Sequence, residues 1–156
     1  MQELIEDALT YDPDTGLFKW LNPQRSSTAK EGWFSGYLSP LGYRFIRLNG
    51  KIYRAHRLAW YLMKGHWPKL FIDHIDNVKD NNKLKNLRDV SRQVNALNSN
   101  KTSGAYKTKY NRWAARVQSD RTEYLGFYDT KEEAELVAKK RREELIALLI
   151  KDESNT

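Results

Sequence analysis

The strand pattern of residues 113–118 constrains the fold most, because its side chains alternate between the two faces of a half-buried strand. One face carries Trp113, Ala115 and Val117, and the other carries Arg112, Ala114, Arg116 and Gln118. A turn at residues 119–121 leads into a second strand at 123–128. Thr130 and Glu133 then form the capping box of a helix with apolar residues at helical spacing. We therefore predict a small sheet packed on one helix at residues 101–150, followed by a polar tail at 151–156.

Composition excludes several classes of protein. The chain has 156 residues and no cysteine, which excludes disulfides, cysteine-ligated zinc and a thiol nucleophile. No apolar run approaches the roughly 18 residues that a membrane-spanning helix needs. Residues 1–12 are acidic and amphipathic, without the basic start and apolar core of a secretory signal. We therefore expect a cytoplasmic protein with no membrane partner.

The net charge of +7 is concentrated in the middle of the chain. Residues 41–100 carry twelve basic and four acidic side chains, whereas residues 1–40 carry three and six. A basic block that contains aromatic residues is the expected footprint of a partner with a phosphate backbone. Charge alone leaves open the alternative of an ordinary solvated basic face.

The first two thirds of the chain favour an α+β fold in two further segments. The segment 1–67 has the pattern of a helix (2–9), a turn (12–16), a strand (17–20), a loop (22–36), a hairpin around Asn49-Gly50 (43–54) and a helix (55–64). The segment 68–100 has the pattern of a strand (70–72), an Asn-rich loop (77–85), a strand (87–90) and a short helix capped by Ser91.

Of the three histidines, His74 has the neighbours that suit chemistry. It follows Asp73 directly and precedes an Asn-rich stretch. Carboxylate and amide oxygens suit a hard cation such as Mg²⁺, and a nearby imidazole can remove a proton from an attacking water. Adjacent residues of a strand face opposite ways, so Asp73 and His74 can serve one phosphate only if the strand bends or ends there. Spacing alone does not indicate a nuclease.

Several separated motifs, which together span residues 10–98, closely resemble the HNH homing endonucleases of phages and mobile introns. The matching pieces are residues 11–16, Gly42-Tyr43, residues 55–60, Ile72-Asp73-His74-Ile75-Asp76, Asp80-Asn81-Asn82, Asn86-Leu87-Arg88 and Gln93-Val94-Asn95. The resemblance implies a ββα-metal module at residues 68–100, flanked by an N-terminal DNA-clamping α/β region and by the C-terminal sheet and helix.

The resemblance also implies roles for individual residues. His74 would be the general base, and Asp73 and Asn95 would hold one Mg²⁺ (or Mn²⁺) ion. Asn86 would fix the hairpin loop and the orientation of His74. Asn77 stands where the family most often has glycine, and asparagine tolerates the left-handed backbone better than most residues. For His56 we favour a structural or phosphate-contact role over catalysis, and we interpret His66 as a surface residue.

Residues 104–145 separately resemble the small DNA-binding domain of plant ethylene-response factors. The matching pieces are Gly104-Ala105-Tyr106, residues 113–117, residues 125–130 and Glu132-Glu133-Ala134. In that fold the free face of the sheet enters a DNA groove. The residues expected to face DNA are Arg112, Arg116 and Gln118, with Lys107, Lys109 and Arg121 nearby.

The sequence thus leads us to expect a metal-dependent endonuclease that hydrolyses duplex DNA, by nicking or by double-strand cleavage. The resemblance implies a phage-encoded protein of the bacterial cytoplasm, acting as a monomer or homodimer. Two rival functions remain: a catalytically inactive DNA-binding regulator on the same scaffold, and an RNA-cleaving enzyme with the same motif.

Overall fold

The computed structural model describes residues 3–22, 32–34, 36–99 and 104–154. The chain forms two compact units, Met1–Asp89 and Val90–Thr156. This division differs from the boundaries after residues 67 and 100 that the sequence suggested. None of the helices described is both long and apolar enough to cross a membrane.

The first unit contains short helices and small antiparallel sheets. Its elements are α1 (Glu3–Glu6), β1 (Leu9–Asp12), β2 (Leu17–Trp20), β3 (Trp33–Phe34), β4 (Tyr37–Leu38), β5 (Arg44–Leu48), β6 (Lys51–Arg54), α2 (Ala55–Lys64), β7 (Phe71–His74), a 3₁₀ turn (Leu84–Asn86) and β8 (Leu87–Val90), whose last residue begins the second unit. The sheets have the orders β1-β2-β3, β4-β5-β6 and β7-β8.

Two local predictions for the first unit are confirmed. The β5–β6 hairpin turns at Asn49 and Gly50, whose φ values of 49° and 76° are the two positive angles of a type I′ turn. Helix α2 begins at Ala55 and ends at Lys64, followed by Gly65 in the left-handed conformation.

One shared core explains why no boundary falls near residue 67. The apolar side of α2, with Leu58 and Ala59, packs in the same buried cluster as Phe18 of β2, Ile72 of β7 and Leu87 of β8. Because these elements bury their apolar surface against one another, the predicted N-terminal region and the strands of the predicted nuclease module fold as one unit.

The N-terminal elements differ from the sequence prediction. Helix α1 ends at Glu6, and the following residues form strand β1, in which Leu9 and Tyr11 are buried. This two-residue period matches a strand paired with β2 and overrides the helical pattern of residues 2–9. Most of the predicted loop at 22–36 lies outside the described residues, but β3 within it pairs with β2.

The second unit is a three-stranded sheet with two helices. Its elements are α3 (Arg92–Asn98), β9 (Ala105–Lys107), β10 (Trp113–Gln118), β11 (Thr122–Tyr128) and α4 (Lys131–Ser154). The strand order is β11-β10-β9, with β10 in the centre. The predicted alternation of β10 is confirmed, because Ala115 and Val117 are buried in the core with Ala134 and Ala138 of α4, whereas Arg116 is exposed.

Both predicted helix starts in this unit are confirmed. The hydroxyl of Ser91 accepts from the backbone N–H of Val94 at 3.3 Å. Thr130 and Glu133 exchange two hydrogen bonds of 3.2 Å, which is the capping box. Val94 of α3 packs in the same core as α4, so the boundary expected after residue 100 is absent.

The polar tail predicted at residues 151–156 is helical as far as Ser154. Ile150, just before it, packs on the core of the second unit. The carboxylate of Glu153 accepts a hydrogen bond from the backbone N–H of Ser91 at 3.4 Å. These contacts hold the last turn of α4 against the start of α3.

The turn at residues 12–16 packs against the loop that follows β7. Gly16 has φ 76°, and a Cβ atom there would lie 2.7 Å from the backbone nitrogen of Lys83. The hydroxyl of Tyr11 donates to the carbonyl of Asn82 at 2.6 Å, and the N–H of Leu84 donates to the carbonyl of Pro13 at 3.0 Å. The N-terminal turn therefore fixes the backbone of residues 82–84.

We predict that Gly16→Ala destabilises the protein by roughly 3 kcal/mol, because it adds a steric overlap to the strain of a left-handed alanine. Gly50→Ala is the matched control, since Gly50 has the same φ of 76° but no atom within 4 Å of the added Cβ. It should cost about 1 kcal/mol. Urea unfolding measures both changes, and equal losses would contradict the close packing of Gly16 on the loop.

Candidate active site

His74 is the last residue of β7, where the backbone leaves the strand. The N–H of Asn77 donates to the carbonyl of His74 at 2.9 Å, which closes a turn. Asn77 has φ 62°, so asparagine does adopt the left-handed conformation at this position. The strand thus ends where the sequence analysis required it to bend or end.

A hydrogen bond to Asn82 sets the orientation of His74. The side chain of His74 is 5% exposed, and its Nε2 lies 3.2 Å from Oδ1 of Asn82. An amide oxygen only accepts, so Nε2 carries the proton. In the neutral ring the lone pair is then on Nδ1, which is the atom that can accept a proton.

Two further rings pack on His74. The ring of His56 meets it edge-on, with centroids 5.1 Å apart and an interplanar angle of 85°. The ring of Tyr43 lies 6.2 Å from His74 and 5.6 Å from His56. His56 is buried in the first turn of α2, where its ring packs against that of His74. This contact agrees with the structural role favoured for His56.

Burial keeps both imidazoles neutral. It lowers the pKa of His74, although the hydrogen bond that the ring donates to Asn82 and the nearby carboxylates of Asp73, Asp76 and Asp80 act in the opposite direction. Burial also lowers the pKa of His56 to about 3; a proton on His74 would lower it further, and the charges of Arg54 and Arg57 act in the same direction. At neutral pH His74 is therefore in the form that a general base requires.

Asp73 faces a different partner from His74. Its Oδ2 accepts from Nε of Arg88 at 2.8 Å and pairs with Nη2 at 2.7 Å. The carboxylate is 6% exposed and the guanidinium 19%. A buried carboxylate needs such a partner, so Arg88 holds the position of Asp73 across the β7–β8 sheet.

Asn86 closes the loop between β7 and β8. Its Oδ1 accepts from the N–H of Asp76 at 3.0 Å, and its Nδ2 donates to Oδ1 of Asp76 and to the carbonyl of Asn81. Its backbone carbonyl accepts from the N–H of Ile75 at 2.9 Å. These bonds tie the two ends of the loop together, whereas the side chain that bonds to the His74 ring is Asn82.

Sequence reasoning assigned no role to Asn82. Its neighbour Asn81 is chemically identical, and both lie in a loop whose shape the sequence does not reveal. The two residues differ in burial, because Asn82 is 2% exposed whereas Asn81 is half-buried. The Nδ2 of Asn82 is buried with no hydrogen-bond partner among the described residues. A buried donor without a partner costs about 1–3 kcal/mol, so Asn82 is an unfavourable residue for stability alone at this position.

The oxygen donors implied for a metal fit a hard cation in their chemistry. Asp73 supplies a carboxylate, and Asn95, half-buried on α3 of the second unit, supplies an amide oxygen. Within the described ranges, no group of three or more His, Cys, Asp and Glu side chains could hold a metal.

The C-terminal sheet presents an outer face, opposite α4, of basic and aromatic side chains. The pairing register puts Arg116 opposite Tyr124, and Ala114 between Tyr106 and Phe127. The guanidinium of Arg116 lies 5.0 Å from the centroid of the Tyr106 ring. The three aromatic residues are exposed, so this face combines positive charge with apolar surface.

The other residues expected to face DNA are placed differently. Gln118 lies on the outer face and accepts from the hydroxyl of Thr122 at 2.6 Å. Arg112 pairs with Asp129 at 3.3 Å. Lys107 is opposite Trp113, on the other face of the sheet but at the edge strand β9. The ammonium of Lys109 lies over the ring of Tyr110, and Arg121 lies at the β10–β11 turn.

Comparison with known families gives one match. Residues 53–97 match the family model described as HNH endonuclease, which supports a nuclease function on DNA for this segment. The matched range includes Asp73, His74, Asn82, Asn86 and Asn95. Searches of curated proteins and of solved structures found no significant match.

We predict that Arg88→Ala destabilises the protein by about 3 kcal/mol, because it leaves the buried carboxylate of Asp73 without its cation. Arg44→Ala is the control, since the Arg44–Asp80 pair is more exposed, at 25% and 39%. Its loss should cost under about 1 kcal/mol. Urea unfolding at pH 7 compares the two variants, and similar losses would show that Arg88 does not support Asp73.

Proposed function

We propose that this protein is a divalent-metal-dependent DNA endonuclease of the HNH homing type, which hydrolyses phosphodiester bonds in duplex DNA. The observation that carries the proposal is the buried, neutral His74, oriented by Asn82 at the end of β7 within the matched segment. An imidazole fixed in one tautomer with a lowered pKa is suited to general-base chemistry.

In this mechanism the Nδ1 atom of His74 takes a proton from a water molecule. The water oxygen attacks phosphorus, the bond from phosphorus to the 3′-oxygen breaks, and that oxygen leaves with a proton from solvent. The products are a 5′-phosphate and a 3′-hydroxyl, as the family resemblance implies. Asn82 keeps the ring in the required tautomer, and Asn86 holds the loop that carries Asn82.

Asp73 and Asn95 are the residues that would hold the metal, one Mg²⁺ or Mn²⁺ ion. When bound, such an ion supplies positive charge that stabilises the phosphate as negative charge develops. Arg88 holds the Asp73 carboxylate in place beforehand.

The second unit would anchor the enzyme on DNA through the outer face of its sheet. Arg112, Arg116 and Gln118 are suited to base edges, whereas Lys107, Lys109 and Arg121 are suited to phosphates. The exposed Tyr106, Tyr124 and Phe127 add apolar surface beside these cations. A monomer or homodimer acting in a phage-infected bacterial cytoplasm is part of the same proposal and rests on the resemblance alone.

One observation favours a second function, that of a DNA-binding regulator without catalysis. The ion pair with Arg88 engages an oxygen of Asp73, the residue expected to bind metal. A metal must therefore share this carboxylate with a guanidinium. The presence of His74, Asn82 and Asn86 in a hydrogen-bonded arrangement favours the nuclease.

We predict that His74→Ala lowers the rate of plasmid nicking in Mg²⁺ by at least about 100-fold, because it removes the general base. Binding of the same DNA in EDTA should change less than about threefold. His66→Ala is the control, because His66 is exposed and, among the described residues, its ring bonds to the neighbouring Trp67 carbonyl. Wild-type nicking that is absent with Mg²⁺ or Mn²⁺, together with intact DNA binding, would favour the regulator instead.

We predict that Arg116→Ala weakens binding to duplex DNA by about tenfold, because a guanidinium on the outer face contacts a base edge or phosphate. Lys139→Ala on α4 removes an exposed cation from the helix behind the sheet and serves as the control. Fluorescence anisotropy at fixed salt gives both affinities. Equal affinities for the two variants would exclude the outer face as the DNA-binding surface.

A further inference from the structure

Two cations lie over the ring of Tyr43, beside the candidate general base. Cζ of Arg54 is 5.3 Å from the ring centroid, and Nζ of Lys79 is 4.9 Å from it. The Tyr43 ring also contacts the rings of His56 and His74. Each cation is therefore separated from His74 by a single aromatic ring.

Neither of these cations has a carboxylate partner in the ranges that the structure describes. Lys79 donates to the backbone carbonyl of Leu41 at 3.1 Å. The side chains of Arg54 and Lys79 are both exposed. By contrast, Arg44 pairs with Asp80 and Arg88 pairs with Asp73. Arg54 and Lys79 thus keep charges that no carboxylate among the described residues compensates, unlike Arg44 and Arg88.

The backbone adds to the positive potential at the same place. Arg54 is the residue before α2, and this helix has no side-chain cap and no acidic residue in its first turn. The unpaired N–H groups at a helix start favour an anion nearby. His56, in that first turn, packs on His74, so the helix start is adjacent to the site.

Two like charges held near one ring repel each other, and a cation–π contact at an exposed position is a weak interaction. An anion at each cation would reduce the repulsion and make charge-assisted hydrogen bonds. The anion that the proposed function brings to His74 is the DNA backbone. Its phosphates repeat along the strand, so adjacent phosphates can meet adjacent cations.

We propose that Arg54 and Lys79, held in place by Tyr43, bind adjacent backbone phosphates next to the bond on which His74 acts. This inference rests on the proposed function. Arg54 and Lys79 contact the substrate, whereas Tyr43 is a positioning residue that places both cations and His74 around one ring. The two cations fix the strand so that the phosphorus faces the water held by His74.

The test measures DNA binding in EDTA with His74→Ala as the parent protein, so that no cleavage interferes. Arg54→Gln and Lys79→Gln are made singly and together, and affinity for a 30-base-pair duplex is measured between about 50 and 200 mM NaCl. Each substitution should lower the slope of log affinity against log salt by about one, and the pair by about two. Lys64→Gln is the matched control, because Lys64 is exposed over the ring of Trp60 at 5.5 Å, away from His74.

Cleavage provides the second readout. In the enzyme with His74 intact, the double substitution should lower plasmid nicking at subsaturating DNA by about 100-fold, or about tenfold for each lost charge-assisted contact. Tyr43→Leu, which keeps both cations but removes the ring, should lower nicking while leaving most of the salt slope. Circular dichroism checks that each variant is folded.

The outcomes separate this inference from the proposed function. A wild-type protein that neither binds nor nicks DNA overturns both. A wild-type protein that does both, with a double variant that matches Lys64→Gln in salt slope and nicking rate, overturns only the phosphate contact. A reduced slope with reduced nicking supports it.

Discussion

The hydrogen bond from Nε2 of His74 to Oδ1 of Asn82 is the interaction on which the proposed chemistry depends. It fixes the tautomer of the ring, and with it the nitrogen that can accept a proton. The bond is itself held from a distance, because Tyr11 and the Gly16 turn fix the backbone of Asn82. A turn near the start of the chain thus supports the candidate general base more than fifty residues away in sequence.

Among the described residues, the buried polar and charged side chains are concentrated at the candidate active site. The buried polar and charged side chains are His56, Asp73, His74, Asn82 and Asn86. Burial of such groups costs free energy unless each finds a partner, and most of them do. The exceptions are Nδ1 of His56 and Nδ2 of Asn82, which find no partner among the described residues. A core selected for stability alone would not keep these groups, so their presence agrees with a functional site.

Elements with local causes could be predicted from the sequence, whereas those that depend on distant contacts could not. The Asn49-Gly50 turn, helix α2 and the capping box of α4 follow from neighbouring residues, and all three are confirmed. The strand at Leu9–Asp12 and the end of α4 at Ser154 depend on pairing and packing with other parts of their units. The boundary between the units at Asp89 arises because α2 packs in the core of the first unit, whereas α3 packs with α4 in the core of the second. No local sequence pattern reveals this packing.

The candidate site also contains residues that could be identified from the sequence and one that could not. The resemblance singled out Asp73, His74 and Asn86, and the structure gathers these three in the first unit, whereas their catalytic roles stay predictions. Asn82 could not be identified from the sequence because its contact with His74 depends on the shape of a loop.

The most direct test of the proposed general base is the tautomer of His74. It can be read from long-range ¹⁵N–¹H correlations of histidine-labelled protein at neutral pH, with the signals assigned by comparison with His74→Ala. We predict a ring protonated at Nε2 and bare at Nδ1, and a change in this tautomer balance in Asn82→Ala. A ring protonated mainly at Nδ1, unchanged by Asn82→Ala, would contradict this prediction.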